Sequence, residues 1–184
     1  MAVGKREDPV LSYNFQISLL DSSSSLATVT TTIVLSSVIG PSDAGFSECT
    51  GLEMSLEVQD HMAGGNNGTV LKFPTRVKWN NITLKKGMTS NTVLWDWFYG
   101  FVEGRGKRKD GLIMLQNEKH EPHTVWGFRR GLPLRYAGPQ LNAGQSNVAI
   151  ESIEIVHEGL YQLPGASGLA TAVSAAAGAI ADLF

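Results

Sequence analysis

Apolar residues at Tyr13, Phe15, Ile17 and Leu19 alternate with Asn14, Gln16 and Ser18. A period of two predicts a half-buried strand. Ser22 to Ser25 breaks the pattern, and the β-branched run Thr28 to Val38 predicts a second strand. Gly40, Pro41 and Asp43 then supply turn chemistry. The alternation is clearest where Leu52, Met54, Leu56 and Val58 are separated by Glu53, Ser55 and Glu57. That strand runs into a loop from Met62 to Thr69 holding Gly64, Gly65, Asn66, Asn67 and Gly68, where glycine admits positive φ. Val70 to Phe73 reads as a short strand stopped by Pro74. From Arg76 to Lys85, Val77 and Trp79 keep one phase while Ile82 and Leu84 keep the other. The slip at Asn80 and Asn81 predicts a bulge.

The period then changes. Val93, Leu94, Trp97, Phe98 and Phe101 fall at helical spacing after Ser90, a candidate N-cap, and Gly104 and Gly106 end the run. This is the one helix expected in the central domain, with an aromatic face to pack on a sheet. Leu112 to Leu115 and Thr124 to Arg129 read as further strands. The last expected strand, Asn147 to His157, carries Val148 and Ile150 on one phase and Ile153 and Ile155 on the other, so burial on both faces is predicted. Many short strands, one helix and no strand–helix–strand alternation predict a mainly β fold, a two-sheet barrel or sandwich with one flanking α-helix. The expected β domain covers residues 1–160, with an insertion near 22–44. Residues 161–184, rich in Ala, Gly, Ser and Thr, form a C-terminal extension in which Leu169, Val173, Ala176 and Ile180 share a helical stripe. Gly178 weakens that helix by about 1 kcal/mol relative to Ala.

Composition narrows the function. At 184 residues the chain suits one domain able to bury roughly 70% of its unfolded surface. Only 17% of residues are charged, which suits an exterior partly hidden against copies of itself. A net charge of −2 argues against phosphate-driven nucleic-acid binding. The basic run from Arg105 to Lys109 lacks interleaved aromatics and reads as a solvated loop. No secretory leader pattern and no long apolar run are present, so neither Sec export nor a membrane anchor is expected. The single cysteine, Cys49, precludes an internal disulfide and reads as a packed small hydrophobe.

Candidate chemistry is sparse. His120 and His123 are the one close histidine pair, but Pro122 places them in a loop with no further ligand nearby, so no metal site is expected. Asp60 and His61 could be imagined as a base and its orienter, yet no nucleophile-elbow pattern accompanies them. Gly64 to Gly68 lacks the Lys-Ser/Thr ending of a phosphate loop. It reads as a connection whose tip meets another subunit, or as a plain hairpin loop. Phe46, Trp79, Trp95, Trp97 and Trp126 are candidates for core or subunit contact. Neither catalysis nor a cofactor is expected.

Several words recur in a fixed order: Phe46-Ser-Glu with Gly51 and Leu52; Gly64 to Asn67; Phe73-Pro74 with Arg76 and Val77; Asn81 to Lys85 with Gly87; Leu94 to Trp97; Gly138-Pro139 with Leu141, Asn142 and Ala143; Val148 to Glu151; and His157 to Leu160. Together they resemble the T-even-phage-type tail tube family. That family includes the tube proteins of extracellular contractile injection systems and of R-type pyocins. The resemblance implies a barrel-like pair of sheets flanked by a helix. It also implies hexameric rings stacked into a tube inside a contractile sheath, driven through a target envelope on contraction. The implied partners are other copies of the chain, the sheath protein, baseplate and cap proteins, and cargo in the lumen. Assembly in the bacterial cytoplasm is implied, followed by residence in a phage tail or in an injection particle that can be released. The stretch from Ser22 to Ala44 is longer than the family's usual link, and the tail after Leu160 is extra. The main tube subunit and a specialised ring at the base or tip therefore both stay open. A small β-barrel ligand-binding or chaperone module is the alternative from another class.

Overall fold

The computed structural model describes residues 9–22, 45–62, 68–120 and 122–163. The strand expected at Thr28–Val38, residues Gly64 to Asn67 and the extension after Leu163 lie outside the described residues. Within them the strands are β1 (Phe15–Asp21), β2 (Phe46–Thr50), β3 (Met54–His61), β4 (Leu71–Trp79), β5 (Ile82–Gly87), β6 (Lys109–Gln116), β7 (Pro122–Ala137), β8 (Ile150–Val156) and β9 (Gly159–Leu163). The helix α1 (Val93–Val102) lies between β5 and β6. The fold is mainly β, as the patterning predicts.

Two sheets share one strand. The order is β1-β6-β7-β8-β5-β2, with β9 also on β7, and β3 and β4 form a separate two-stranded sheet. The first part of β7 pairs with β6 and β9. From Leu132 onward the same strand pairs with β8. The apolar pattern predicts a strand only over Thr124 to Arg129, whereas β7 runs 16 residues. It changes sheets at Arg130, whose φ of 52° is left-handed. Side chains fix this corner. Asp110 Oδ1 accepts the Arg130 N–H at 2.7 Å, and Arg108 donates to the Arg130 carbonyl at 3.1 Å. Glu158 pairs with both Arg108 and Arg130 at 3.0 Å. Gly131 is required next to the corner, because a Cβ there would lie 2.8 Å from the Lys109 carbonyl oxygen.

The main core lies between the sheets. Ile17, Ile113, Phe128 and Leu160 meet Ile82, Leu84, Ile153 and Ile155, and α1 adds Leu94 and Trp97. A second cluster, Leu112, Met114 and Val125 with Leu20, occupies the other side of the first sheet. The strand buried on both faces is thus β6, not the last long strand as expected. In β8 only the Glu151, Ile153, Ile155 phase turns inward, while Ile150 and Val148 are exposed.

Three further local expectations are corrected. Asn80 and Asn81 mark no bulge; β4 ends there and β5 starts in a different sheet. The bulge lies farther up the hairpin, where Leu56 pairs with Val77 but Val58 pairs with Pro74. Strand β4 also continues through Pro74. Among the described residues β4 has a free edge, where a missing N–H interrupts no ladder. Finally, α1 is capped by Thr92 rather than Ser90. The Asn91 side chain accepts the Val93 N–H at 2.9 Å, and the Thr92 hydroxyl donates to Asp96 at 2.7 Å.

Candidate assembly surface

The β3–β4 hairpin meets the main core through Trp79 at the end of β4, and nearly every other residue of it is exposed. Successive strand residues point to opposite faces, so Met54, Leu56 and Val58 share one face with their partners Val77 and Pro74. Met54, Leu56, Val58 and Val77 are all about half exposed or more. On the opposite face Glu57 pairs with Arg76 and Lys78. The extra residue in β4 reverses this pattern toward the tip. There Leu71 and Phe73 share a face with Gln59 and His61, and the His61 ring meets Phe73 edge-on at 6.0 Å. Asp60 turns the other way, to Lys72 at 2.8 Å. Asp60 and His61 therefore cannot act as a dyad. A hairpin with apolar side chains on both faces has too little core to be stable alone, and a patch of this kind marks an interaction site.

The sheets also end in open margins. Among the described residues β1 pairs only with β6, and β2 only with β5. Such edges are templates for another strand.

The sequence-nominated residues divide among these regions. Phe46, Trp79 and Trp126 are half-buried and pack against the main core. The Trp97 side chain is buried and its indole N–H donates to the Lys107 carbonyl at 2.9 Å. Trp95 is 48% exposed, stacked on Tyr99 at 5.8 Å and edge-on to Tyr136 at 5.2 Å. With Val102 these residues form a second, outward stripe on α1. Gly68 lies at the hairpin tip; Gly64, Gly65, Asn66 and Asn67 lie outside the described residues.

A buried polar chain that the apolar pattern does not predict lies next to the start of α1. Lys86 Nζ lies 3.1 Å from Glu151 Oε1, and both side chains are almost wholly buried. The two are direct cross-strand partners on β5 and β8. The Tyr136 hydroxyl donates to Glu151 Oε2 at 2.6 Å, and Lys86 also donates to the Asn91 carbonyl at 3.2 Å. Burial, then the hydrogen bond and the charge of Glu151, push the Tyr136 hydroxyl up to about 12. A raised folded-state value means the fold favours the neutral phenol. Its contribution is complete below the ordinary value near 10 and is lost as pH rises through about 12. The melting temperature of the native chain should therefore fall more steeply between those pH values than that of Tyr136→Phe. Parallel curves for the two proteins would show that this hydroxyl is not linked to folding.

Among the described residues no group of three His, Cys, Asp or Glu side chains could hold a metal ion. The clefts at the β7 corner are polar and charged, one of about 520 Å³ being lined by Asp21, Ser22, Lys107, Arg108 and Arg130. No described helix is long and apolar enough to cross a membrane.

The family model of the T4-like virus tail tube protein gp19 matches residues 11–161. The chain belongs to this tail tube family. Solved structures agree with that fold. A chain of the anti-feeding prophage baseplate is 25% identical with a TM-score of 0.71, covering 86% of this chain and 97% of that one. A chain of the PVC extracellular contractile injection system sheath–tube complex is 23% identical with a TM-score of 0.67, covering 85% of this chain and 92% of that one. A chain of the anti-feeding prophage tube-terminating cap is 20% identical with a TM-score of 0.69, covering 88% of this chain and 98% of that one. No curated protein matches the chain. The family and these structures make the chain a structural component of a contractile tail or injection system.

Proposed function

We propose that this tail tube protein is a non-catalytic subunit of the inner tube of a contractile tail or contractile injection particle. In this reading six copies close into a ring, rings stack around a lumen, and sheath contraction drives the tube through a target envelope. Sheath, baseplate and cap proteins are its further partners, the lumen accommodates cargo, and assembly takes place in the bacterial cytoplasm. The observation that carries the reading is the β3–β4 hairpin, whose apolar side chains have no cover within the described chain. Closed rings and stacked rings would also cover strand edges that are open among the described residues of one copy. Negative-stain electron microscopy of the purified chain should show rings or tubes. A strictly monomeric protein at high concentration, with no binding to sheath or baseplate, would overturn the proposal.

The hairpin can be tested by itself. Leu56→Asp with Val77→Lys places an opposite-charge cross-strand pair on an exposed apolar face. Stability should change by no more than about 0.5 kcal/mol for each surface substitution, while assembly is abolished. Wild-type rings from this variant would remove the hairpin from the interface. We also assign the loop Gly64 to Gly68, which joins β3 to β4, to contacts between rings. Its deletion should leave single rings that do not elongate, and normal tubes would refute the assignment. Phe46, Trp79 and Trp126 serve the core in this scheme, and Trp95 serves contact. The β domain reaches Leu163 through β9, which pairs with β7.

A further inference from the structure

We infer that Lys86, Glu151 and Tyr136 are positioning residues, which set where the N-terminal half of α1 sits on the sheets and so where its outward aromatic stripe points. The helix docks mainly through Leu94, Trp97 and Phe101. Apolar burial is non-directional, so these side chains alone would tolerate a helix displaced along the sheet. Directional contacts hold the helix at two places. Its middle is held by Trp97, whose N–H reaches the Lys107 carbonyl and whose ring lies 5.8 Å from Lys109 Nζ. Its N-terminal end is held by the buried chain. Lys86 on β5 binds both Glu151 on β8 and the carbonyl of Asn91, just before the helix. Glu151 accepts from Tyr136 on β7, and the Tyr136 ring receives Trp95 edge-on and lies 6.4 Å from Phe98. Three strands are thus connected to α1 through an ion pair, two hydrogen bonds and two ring contacts.

Energetics point the same way. A buried ion pair recovers by attraction roughly what it loses by leaving water, and well-packed apolar replacements of the whole pair are often neutral or stabilising. The pair therefore adds little that Met and Leu could not supply, except direction. What it directs is the pair Trp95 and Tyr99, stacked and about half exposed, with Val102 beyond. The consequence for assembly rests on the tube reading above; the positioning of α1 does not.

The test uses the full chain carrying Lys86→Met with Glu151→Leu, and separately Tyr136→Phe. For the double variant, the urea midpoint should equal or exceed the native value. Amide exchange in α1 should quicken about tenfold while β5 and β8 keep native protection. Tyr136→Phe keeps the ion pair and should give a smaller increase confined to α1. Native exchange rates in α1 of the double variant would overturn the inference. So would a double variant that unfolds or loses stability throughout, since the pair would then hold the domain rather than aim the helix. Lys86→Arg, which retains a buried cation, should restore most of the protection. In the assembly arm, ring yield from the folded double variant should fall about tenfold; a native yield would overturn the link to assembly. If the native chain itself forms no rings, the tube reading fails, while the exchange result still decides the positioning.

Discussion

Lys86→Ala is expected to destabilise the fold by about 3–5 kcal/mol. The substitution leaves Glu151 fully buried with only the Tyr136 hydroxyl as partner among the contacts described, and opens space below α1. Most of the loss comes from the uncompensated carboxylate. Lys86→Met keeps most of the volume but not the charge, so it should be nearly as harmful as alanine. With a urea dependence of about 2 kcal/mol per M, the midpoint should drop by roughly 2 M. A drop below about 0.5 M, about 1 kcal/mol at that slope, would mean that water reaches the pair and that its burial is not felt. The exposed pairs of the hairpin provide the contrast. Removing Asp60 from Lys72 should cost at most about 1 kcal/mol, because both groups remain solvated.

Gly51→Ala is the second substitution with a large expected effect. Gly51 lies between β2 and β3 with φ of 91°, and an alanine Cβ there would sit 2.0 Å from the Asn81 carbonyl oxygen. The backbone conformation alone costs about 1–3 kcal/mol for a residue with a side chain. The clash is with main chain, which cannot rotate aside, so the turn must move away from the start of β5. The strand set free is β2, whose pairing among the described residues is with β5 alone. Cys49 on β2 makes the change measurable, because it is the chain's single cysteine and its thiol is pushed up to about 11 by burial. At pH 8 the native thiol should react slowly with an alkylating reagent. If β2 detaches, the thiol returns toward its ordinary value of about 8.5 and labelling should accelerate by more than tenfold. Native labelling kinetics in a folded Gly51→Ala protein would show that the turn absorbs the methyl group without releasing the strand.

Much of this architecture is legible because buried strands leave a periodic trace. The alternation around Phe15 and the apolar block at Leu112 both mark real strands. The helix was legible from the spacing of Leu94 and Trp97, though not its cap, since Asn91 and Thr92 supply side-chain contacts that composition alone does not rank above Ser90. The alternation from Met54 to Val58 is the sharpest in the chain, yet its apolar side faces outward. Periodicity shows that a face is apolar, not which molecule covers it. The change of sheets at Asn80 was read as a bulge because one phase slip has the same trace whether a strand bends or ends. The buried pair left a trace that the apolar pattern obscured. Lys86 continues the inward phase of Ile82 and Leu84, and Glu151 that of Ile153 and Ile155. A charge on the core phase of two separate strands was the available signal. The corner at Arg130 joins Arg108, Asp110 and Glu158 from distant parts of the chain, and no local window contains it.

Strand β7 passes without a break from one sheet into the other. A pull applied to either sheet is therefore carried to its neighbour along peptide bonds, not only across a packed apolar seam that could shear. A piece built this way resists being peeled apart layer by layer, and under axial load it should hold its shape until it gives way all at once.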